Sequence, residues 1–563
     1  MYDVVIRNGT VIDGSGRPGV LTDVALQDGR IAAVGRVTDG ARRVIDAEGQ
    51  VVTPGFVDLH THMDAQVFWD PLGSCSCYHG VTTVLMGNCG FTLAPSRSDT
   101  RDLAIRNIER AEAIELKAME AGITWDWETF PEYLDAIDRR PKAINYAAMI
   151  GHSAVRTWVM GEDAFQREAN GREVSQMAAI VREAIEVGGW GFSTSRSFAH
   201  LTPDGGSVAS RLASWSELRA LVDVLGQMGR GVFEIAQEVG LFSKDPVERD
   251  ESNQRLQALA VDSGVPMLFG IVPVHPGSDG QLRMLETTAA AGGRAFGLSH
   301  SRGISIVLSF KTQTPFDKLP AWAEVRALPF EEQRRALYDP DVRRRLIDAA
   351  HNEVITQSVG AEPRRPKYES LLVLNDPLPP HVSVAELARQ RGVDPVELMI
   401  DLALETDFNQ LFEQPTTRFE MNELVDIMKH PNTVMTFSDS GAHVSQIMDS
   451  SIHTHLLAYW VRERQVFSLE EAVKMITSDT ANAGQFTDRG LLREGMVADV
   501  NVFDPDVIAP NMPEIVHDLP AGATRLRQTA TGISSTIVGG EVVLEAGEPT
   551  GARPGRLLRL AQG

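Results

Sequence analysis

Two histidines, His60 and His62, close the apolar run VTPGFVDLHTH. Residues i and i+2 of a β-strand lie on the same face, so both imidazoles would point the same way. Imidazole is a frequent zinc ligand, and a pair this close could hold one ion at about 2.0–2.1 Å. Two surface histidines beside a loop would give the same motif, but the preceding Pro-Gly and strand favour a metal site.

An acid and a thiol follow two other apolar runs. Asp439 closes TFSDSGAH, where it could bind the same metal and take a proton from water. Taken alone, it would more simply be a helix N-cap. Cys89 follows LMGN, and Gly87 and Gly90 would permit a tight loop around a thiolate ligand. A free cysteine is more often a small buried hydrophobe, so the residues alone leave Cys89 open.

Polar residues at the ends of further runs are candidates for contacting a substrate. His152, in MIGHSAVR, could donate a hydrogen bond to a substrate carbonyl and act in catalysis. Arg156 could bind a substrate carboxylate through two hydrogen bonds. A polar residue at a strand end could instead satisfy a loop, and Arg196 and Arg302 could instead form surface salt bridges. The remaining candidates for substrate binding are Ser193, Arg196, His300, Arg302 and His443.

The elements that must position these side chains are short apolar runs separated by helical periodicity. Residues 214–229 place apolar residues at helical spacing after Ser214, which predicts a capped helix. Near-continuous apolar runs indicate parallel strands covered on both faces. An α/β fold, a (β/α)₈ TIM barrel with its active site at the C-terminal strand ends, is predicted. The runs are 51–62, 80–88, 144–153, 189–195, 231–236, 265–272, 294–302 and 433–443.

Both chain ends have β patterns, with Asn-Gly, Asp-Gly and Gly-Gly turn signals. Neither end alone could bury a core, so we predict one small β-sandwich domain from residues 1–53 plus 486–563. The barrel is then predicted to span 54–485. It carries a long insertion at about 305–390, which is typical of either a lid or an oligomer contact.

The composition narrows the classes of function. The chain has 563 residues, with 53 Lys plus Arg against 76 Asp plus Glu and a net charge of −23. This balance disfavours nucleic acid and anionic membranes as partners. Three cysteines exclude a disulfide framework, and the N-terminus lacks the basic start and apolar core of a secretory signal. We therefore expect a soluble, cytoplasmic protein with a small-molecule substrate, and leave a homo-oligomer open.

The motifs VIRNGTVIDGSG, VTPGFVDLHTH, FSDSGAH and GMVADVNVFDP together resemble those of the metal-dependent amidohydrolase superfamily. Within it, HGVTTVLMGNCGFTLAP, IGHSAVR and SLEEAVKMITSDTA are similar to the N-acyl-D-amino-acid deacylase (D-aminoacylase) family. The resemblance covers nearly the whole chain and is weakest in 240–390. It implies a barrel with a β-sandwich and a zinc-activated water that attacks an amide carbonyl. It also implies that His60, His62 and Cys89 bind zinc and that Asp439 is catalytic.

This chain departs from the family pattern at the fifth and sixth strands. The family places metal-binding histidines there, whereas these runs read VFEIAQE and MLFGIV. Glu234 could substitute as an oxygen ligand or simply flank the core, and we expect His275 to lie in a loop. The fourth run has Ser-Thr-Ser where dinuclear relatives carry a carboxylated lysine, which excludes that arrangement. We therefore expect one or two Zn²⁺ ions, with other divalent metals allowed.

The leading hypothesis is a metal-dependent amidohydrolase that cleaves a linear, non-peptide amide bond, in an N-acyl-amino acid. A cyclic amide, a carbamate or a xenobiotic amide is the alternative substrate on the same barrel. The missing histidines also permit a non-catalytic binding or assembly protein. A serine hydrolase is less favoured, because GFSTS lacks the second glycine of a nucleophile elbow.

Overall fold

The computed structural model describes residues 1–236, 238–274, 277–354, 358–417 and 420–561. Its strands are numbered here in chain order. They are β1 (Tyr2–Val11), β2 (Val20–Gln27), β3 (Arg30–Gly35), β4 (Ala41–Asp46), β5 (Val51–Pro54), β6 (Phe56–Asp58), β7 (Val81–Met86), β8 (Asn145–Gly151), β9 (Gly191–Ser195), β10 (Val232–Ala236), β11 (Met267–Gly270), β12 (Ala295–Ser299), β13 (Ser305–Leu308), β14 (Leu372–Leu374), β15 (Val382–Ser383), β16 (Leu411–Pro415), β17 (Thr433–Met435), β18 (Val500–Phe503), β19 (Ala509–Pro510), β20 (Glu514–Val516), β21 (Arg525–Arg527), β22 (Ala530–Thr531), β23 (Ile533–Val538), β24 (Glu541–Glu545), β25 (Glu548–Pro549) and β26 (Leu557–Leu558).

The helices are numbered in the same way. They are α1 (Ser74–Cys77), α2 (Arg101–Ile108), α3 (Leu116–Gly122), α4 (Phe130–Arg139), α5 (His152–Met160), α6 (Gly171–Glu186), α7 (Trp215–Met228), α8 (Pro246–Ser263), α9 (Gly277–Ala290), α10 (Pro320–Arg326), α11 (Phe330–Tyr338), α12 (Pro340–Asn352), α13 (Val384–Arg391), α14 (Pro395–Glu405), α15 (Met421–Lys429), α16 (Ile452–His455), α17 (Leu469–Ile476) and α18 (Ser478–Ala483). The capped helix predicted at 214–229 is α7, and the Ser214 hydroxyl accepts the Glu217 N–H at 3.2 Å.

The core of the fold is a sheet of parallel strands in the order β6-β7-β8-β9-β10-β11-β12-β17. These strands follow the eight predicted runs, and buried residues fill most of their positions because helices cover the outer face. A parallel bridge between Thr61 and Ser440 joins the end of β6 to the segment after β17. The fold is therefore TIM-barrel-like, and the C-terminal strand ends meet at one rim.

The first predicted run divides between two sheets. Val51–Pro54 pairs with β18 and β1, and only Phe56–Asp58 enters the barrel. Gly55 lies at the transition, where a Cβ atom would come within 2.2 Å of the Thr82 side chain. Only glycine fits this close approach, so the apolar pattern alone did not show where the chain changes sheets.

Strands from both chain ends form a second sheet in the order β25-β24-β23-β18-β5-β1-β2-β3, with β4 beside β1. Strands from the two chain ends pair in this sheet, as we expected because neither end could form a core alone. Its buried core includes Val24, Leu26 and Val500. The structure resolves this unit as one large sheet, so its description as a sandwich and the proposed domain boundaries stay predictions.

The long insertion begins with β13 and has a sheet of its own, in the order β13-β16-β14-β15. Its helices α10 to α14 pack around buried aromatic side chains that include Phe310, Trp322 and Phe408. The sheet is completed only by β16, so this unit reaches to Pro415, beyond the limit of about 390 expected from sequence. Among the described residues, no helix is both long and apolar enough to cross a membrane.

A buried charge network joins the chain-end sheet to the barrel. Asp499 is buried and accepts hydrogen bonds from Arg489 at 3.0 Å and from Asn145 of β8 at 3.0 Å. Arg489 also donates to the Thr83 hydroxyl of β7 at 2.7 Å. Removing one partner of such a pair leaves the other buried and uncompensated, which is costly.

We therefore expect Asp499→Ala to lower the free energy of unfolding by about 3–5 kcal/mol. Asp488→Ala is the matched control, because Asp488 also pairs with Arg489 but is 47% exposed. The control should change stability by less than about 1 kcal/mol. Urea denaturation of both variants measures the free energy of unfolding. Equal decreases in the two variants would contradict a larger contribution of the buried Asp499 contacts to stability.

Candidate metal centre

The first and last strands of the barrel bring His60, His62 and Asp439 together. The chain leaves β6 at Asp58, and both imidazoles are buried beyond it. The backbone N–H of Asp439 donates to the His60 carbonyl at 3.1 Å, and that of His62 donates to the Ser440 carbonyl at 2.8 Å. Asp439 has a φ of 50°, in the left-handed region, which turns its backbone sharply at the rim.

The side-chain atoms of this cluster are spaced as metal ligands would be. Asp439 Oδ1 lies 3.2 Å from His60 Nε2 and 3.5 Å from His62 Nε2. Cys89 Sγ lies 3.5 Å from His60 Nε2. The bond lengths of tetrahedral zinc put neighbouring ligand atoms about 3.3–3.6 Å apart. The residues present therefore fit a divalent ion.

A strained loop presents Cys89 to the cluster. Cys89 has a φ of 56°, between Gly87 at 80° and Gly90 at 76°. Ser193 of β9 holds this loop: its hydroxyl donates to the Gly87 carbonyl at 2.5 Å and accepts the Gly90 N–H at 3.0 Å. The Cys89 N–H donates to Glu234 Oε2 at 2.7 Å. Ser193, predicted to contact substrate, is thus placed where it positions the thiol.

Three buried polar atoms of the cluster have no hydrogen-bond partner among the described residues. They are His60 Nδ1, Glu234 Oε1 and Glu112 Oε1. Glu234 lies in the middle of the fifth barrel strand, β10, and its Oε1 is 3.8 Å from His60 Nδ1. Buried polar atoms without partners are costly and uncommon in native proteins. A cation bound nearby would offset this cost for the two carboxylates.

The protonation states of the cluster reflect its dense charge. Burial lowers the pKa of His62, but the Glu112 and Asp439 carboxylates outweigh burial and raise that pKa to about 9. Burial favours neutral Asp439, yet hydrogen bonds from His60 and His62 hold the Asp439 pKa well below its usual range. Burial raises the pKa of Glu234 to about 8 and that of the Cys89 thiol well above its usual value.

Two further residues, Glu112 and His200, join the cluster without having been predicted. Glu112 lies between α2 and α3, with Oε2 at 3.5 Å from His62 Nε2 and 3.9 Å from His443 Nε2. His443, a predicted substrate contact, is thus placed beside Glu112. His200 follows β9 and is close to Cys89 and Glu112. Both new residues lie on loops, where no strand or helix pattern could single them out.

The structure places His152 and Arg156 differently from the sequence expectation. His152 Nδ1 lies 2.8 Å from the Thr194 hydroxyl, and its Nε2 lies 2.9 Å from Glu217 Oε1. Arg156 is fully buried and donates to both Glu217 oxygens at 2.5 Å. Thr194 points to the opposite face of β9 from Ser193, towards α7. Glu217 of α7 therefore contacts both side chains, and their roles towards a substrate stay predictions.

The other predicted substrate contacts are held in ion pairs. Arg302 Nη2 lies 3.0 Å from Asp449 Oδ1, and His300 Nε2 lies 3.5 Å from Asp449 Oδ2. Arg196 Nε lies 2.6 Å from Glu238 Oε2. The structure therefore shows the salt-bridge alternative for Arg196 and Arg302, and a substrate role for these two residues and for His300 stays a prediction. The loop expectation for His275 lies outside the described residues.

This chain is similar to known proteins over nearly its whole length. A model of the amidohydrolase family matches residues 43–544. A D-aminoacylase and an N-acyl-D-aspartate deacylase, both of Alcaligenes xylosoxydans xylosoxydans, are each 28% identical and cover 99% of this chain; the alignments cover 97% and 95% of their own lengths. A structure of a D-aminoacylase with a binuclear metal center has 25% identity and a TM-score of 0.67, covering 99% of this chain and all of the other.

The charges around His62 predict how metal uptake depends on pH. In the metal-free protein His62 holds a proton up to about pH 9, and an ion must displace that proton to bind. The affinity for Zn²⁺ should therefore rise as pH rises, by about tenfold or more per pH unit below pH 9. Calorimetry in buffers of different ionisation enthalpy measures the affinity and the protons released.

In His62→Gln the number of protons released on zinc binding should fall by about one, because the displaced imidazolium is gone. An affinity that does not change between about pH 6 and about pH 9 would contradict the assignment of His62 as a ligand.

Proposed function

This chain belongs to the amidohydrolase family and is D-aminoacylase-like within it, and on that premise we propose that it is a divalent-metal-dependent hydrolase of linear, non-peptide amide bonds. Its proposed substrate is an N-acyl-amino acid, as the names of its deacylase relatives suggest. The observation that carries the proposal is the Asp439 carboxylate held between two buried imidazoles, with a thiol beside them, at the C-terminal rim of the barrel.

In this proposal His60, His62, Cys89 and Asp439 hold the ion, which we propose to be zinc because nitrogen, sulfur and oxygen ligands suit it. When bound, such an ion supplies Lewis acidity, which polarises an amide carbonyl and favours deprotonation of an attacking water. The two histidines fix the position of the carboxylate relative to the bond to be cleaved.

Asp439 is the group proposed to move the proton. Its side chain is 22% exposed, so water and substrate can reach it, unlike the neighbouring imidazoles. The depressed pKa keeps it ionised at neutral pH and ready to accept a proton. Because Oδ1 contacts both histidines, Oδ2 remains to take the proton from water and pass it to the leaving nitrogen.

A second candidate keeps the same scaffold but changes the substrate to a cyclic amide, a carbamate or a xenobiotic amide. The observation that favours it is Glu234, a carboxylate in the fifth strand, for which the family pattern has a histidine at the strand end. Glu234 contributes its Oε2 to the Cys89 loop and points its Oε1 towards His60. A changed side chain this close to His60 and to the Cys89 loop would alter which amide fits.

Replacing the proton carrier tests the mechanism. Asp439→Asn should lower kcat by about 10²–10⁴-fold at saturating zinc, because the amide cannot accept the proton. Asp506→Asn is a matched control, since Asp506 is exposed and lies after β18, in the chain-end sheet. The control should retain wild-type turnover. Near-normal kcat in Asp439→Asn with zinc bound would exclude Asp439 as the base.

A substrate panel tests the reaction class. The zinc-loaded protein should deacylate N-acyl-D-amino acids faster than their L enantiomers, cyclic amides or carbamates. A chelator should abolish this activity and added zinc restore it, whereas a serine-directed acylating agent should have no effect. Turnover confined to cyclic amides or carbamates would favour the second candidate, and a protein that binds no metal would indicate a non-catalytic barrel.

A further inference from the structure

A cavity of about 910 Å³ lies between the barrel and the insertion. On the barrel side it is lined by Arg302, which follows β12, and by His455 of α16. On the insertion side it is lined by Arg364, Leu372 and Gln414. Among the described residues that line it, none is a proposed zinc ligand. Its volume is typical of a small-molecule site, so the cavity is a candidate binding site apart from the metal centre.

Four side chains that line this cavity each have a buried polar atom without a hydrogen-bond partner among the described residues. The atoms are Arg302 Nε, Arg364 Nε, Gln414 Oε1 and Thr417 Oγ1. Arg302 is only 7% exposed, and Gln414 only 5%. Buried polar atoms without partners are costly and uncommon in native proteins. Their concentration around one cavity indicates a ligand that carries polar groups.

The guanidinium group of Arg302 is held in place with one donor left over. Its Nη2 donates to Asp449 Oδ1 at 3.0 Å and to the Met448 carbonyl. These two bonds fix the plane of the group, and the Nε N–H therefore has a fixed direction. A guanidinium N–H forms its strongest hydrogen bonds with carboxylate and phosphate oxygens. The unused donor of Arg302 thus favours an anion.

Strand pairing brings Arg364 near Arg302. The Gln414 amide donates to the Arg364 carbonyl at 3.0 Å, and Gln414 of β16 pairs with Ile306 of β13, four residues after Arg302. Nη2 of Arg364 donates to the Gly360 carbonyl, whereas its Nε has no partner among the described residues. Each arginine therefore brings an unused donor to the same cavity, one from the barrel and one from the insertion.

The rest of the lining combines positive charge with apolar surface. Arg365 and Lys367 add two exposed cations, against the acids Glu369 and Glu413. Glu413 is already engaged, because its Oε1 accepts the Ser305 hydroxyl at 2.5 Å. This excess of cations contrasts with the net charge of −23 of the whole chain. The apolar part of the lining is formed by Leu372, Pro377, Pro379, Pro415 and Met421.

From this lining we propose that the cavity binds a small organic anion. Its carboxylate or phosphate group accepts hydrogen bonds from Arg302 and Arg364, and its apolar body packs against Leu372 and Met421. The site goes beyond the proposed hydrolysis and does not depend on it. A ligand bound in this way bridges the barrel and the insertion.

The insertion segment that carries Arg364 also contacts the loop before Glu112. Glu362, two residues before Arg364, pairs with Arg110 at 2.8 Å, and Arg110 lies two residues before Glu112. Lys318 pairs with the same Glu362 carboxylate at 3.0 Å. One short segment of the insertion thus lies between the proposed anion site and a loop of the candidate metal centre.

Titration calorimetry of the full-length, zinc-loaded protein tests the site without measuring activity. Hexanoate or hexyl phosphate, each with a charged group and an apolar chain, should bind at one site per chain. Hexanol lacks the charge and inorganic phosphate lacks the chain, so each should bind at least about tenfold more weakly. Comparison of hexanoate with hexyl phosphate identifies the preferred anionic group. Absence of binding by both would overturn the proposal.

Variants distinguish this cavity from the metal centre. Arg364→Gln should weaken binding at least about tenfold, because it removes a charge-assisted hydrogen bond. Met421→Glu, at a position that is 37% exposed, should also weaken binding, because it places a negative charge in the apolar wall. Arg344→Gln is the matched control in the insertion, since Arg344 is 77% exposed and lies outside the cavity.

Arg344→Gln and Asp439→Asn should both bind the anion as the wild type does. Binding that is unchanged in Arg364→Gln and in Met421→Glu would overturn the site. Binding that is lost in Asp439→Asn but kept in Arg364→Gln would place the anion at the metal centre and would also overturn it. None of these results alters the proposed hydrolysis, which is measured separately.

Discussion

The Asp439 carboxylate and the imidazoles of His60 and His62 form the contact on which the site depends, and the backbone of the same residues joins the first and last strands of the barrel. The same segments of chain therefore close the barrel and bring the candidate metal ligands together. A change that separated the end of the first strand from the end of the last strand would also separate the imidazoles from the Asp439 carboxylate. This contact between the two strand ends thus couples the stability of the barrel rim to the geometry of the candidate site.

Several residues around this contact hold the loops that carry the candidate metal ligands, without being ligands themselves. Ser193 holds the Cys89 loop, Ser195 orients His200, and Glu362 of the insertion secures the loop before Glu112. These supports come from β9 and from a unit that follows the seventh strand. The insertion, expected to be either a lid or an oligomer contact, therefore also contacts a loop of the candidate metal centre.

The sequence predicted the parts of the site that follow from strand pattern. Each apolar run ended near the rim, which identified His60, His62 and Asp439, and the family resemblance added Cys89. Glu112 and His200 were missed because loops have no periodicity that reports where their side chains point. The sequence could not show that His152 contacts Glu217 on the helix side, because a strand end does not reveal which face a residue uses.

An anomalous-scattering map, collected at the zinc absorption edge from a crystal of the zinc-loaded protein, would test the central claim most directly. We expect a strong peak about 2.0–2.2 Å from His60 Nε2, His62 Nε2 and an Asp439 oxygen. A crystal with zinc bound elsewhere and these three side chains only hydrogen-bonded to one another would contradict it.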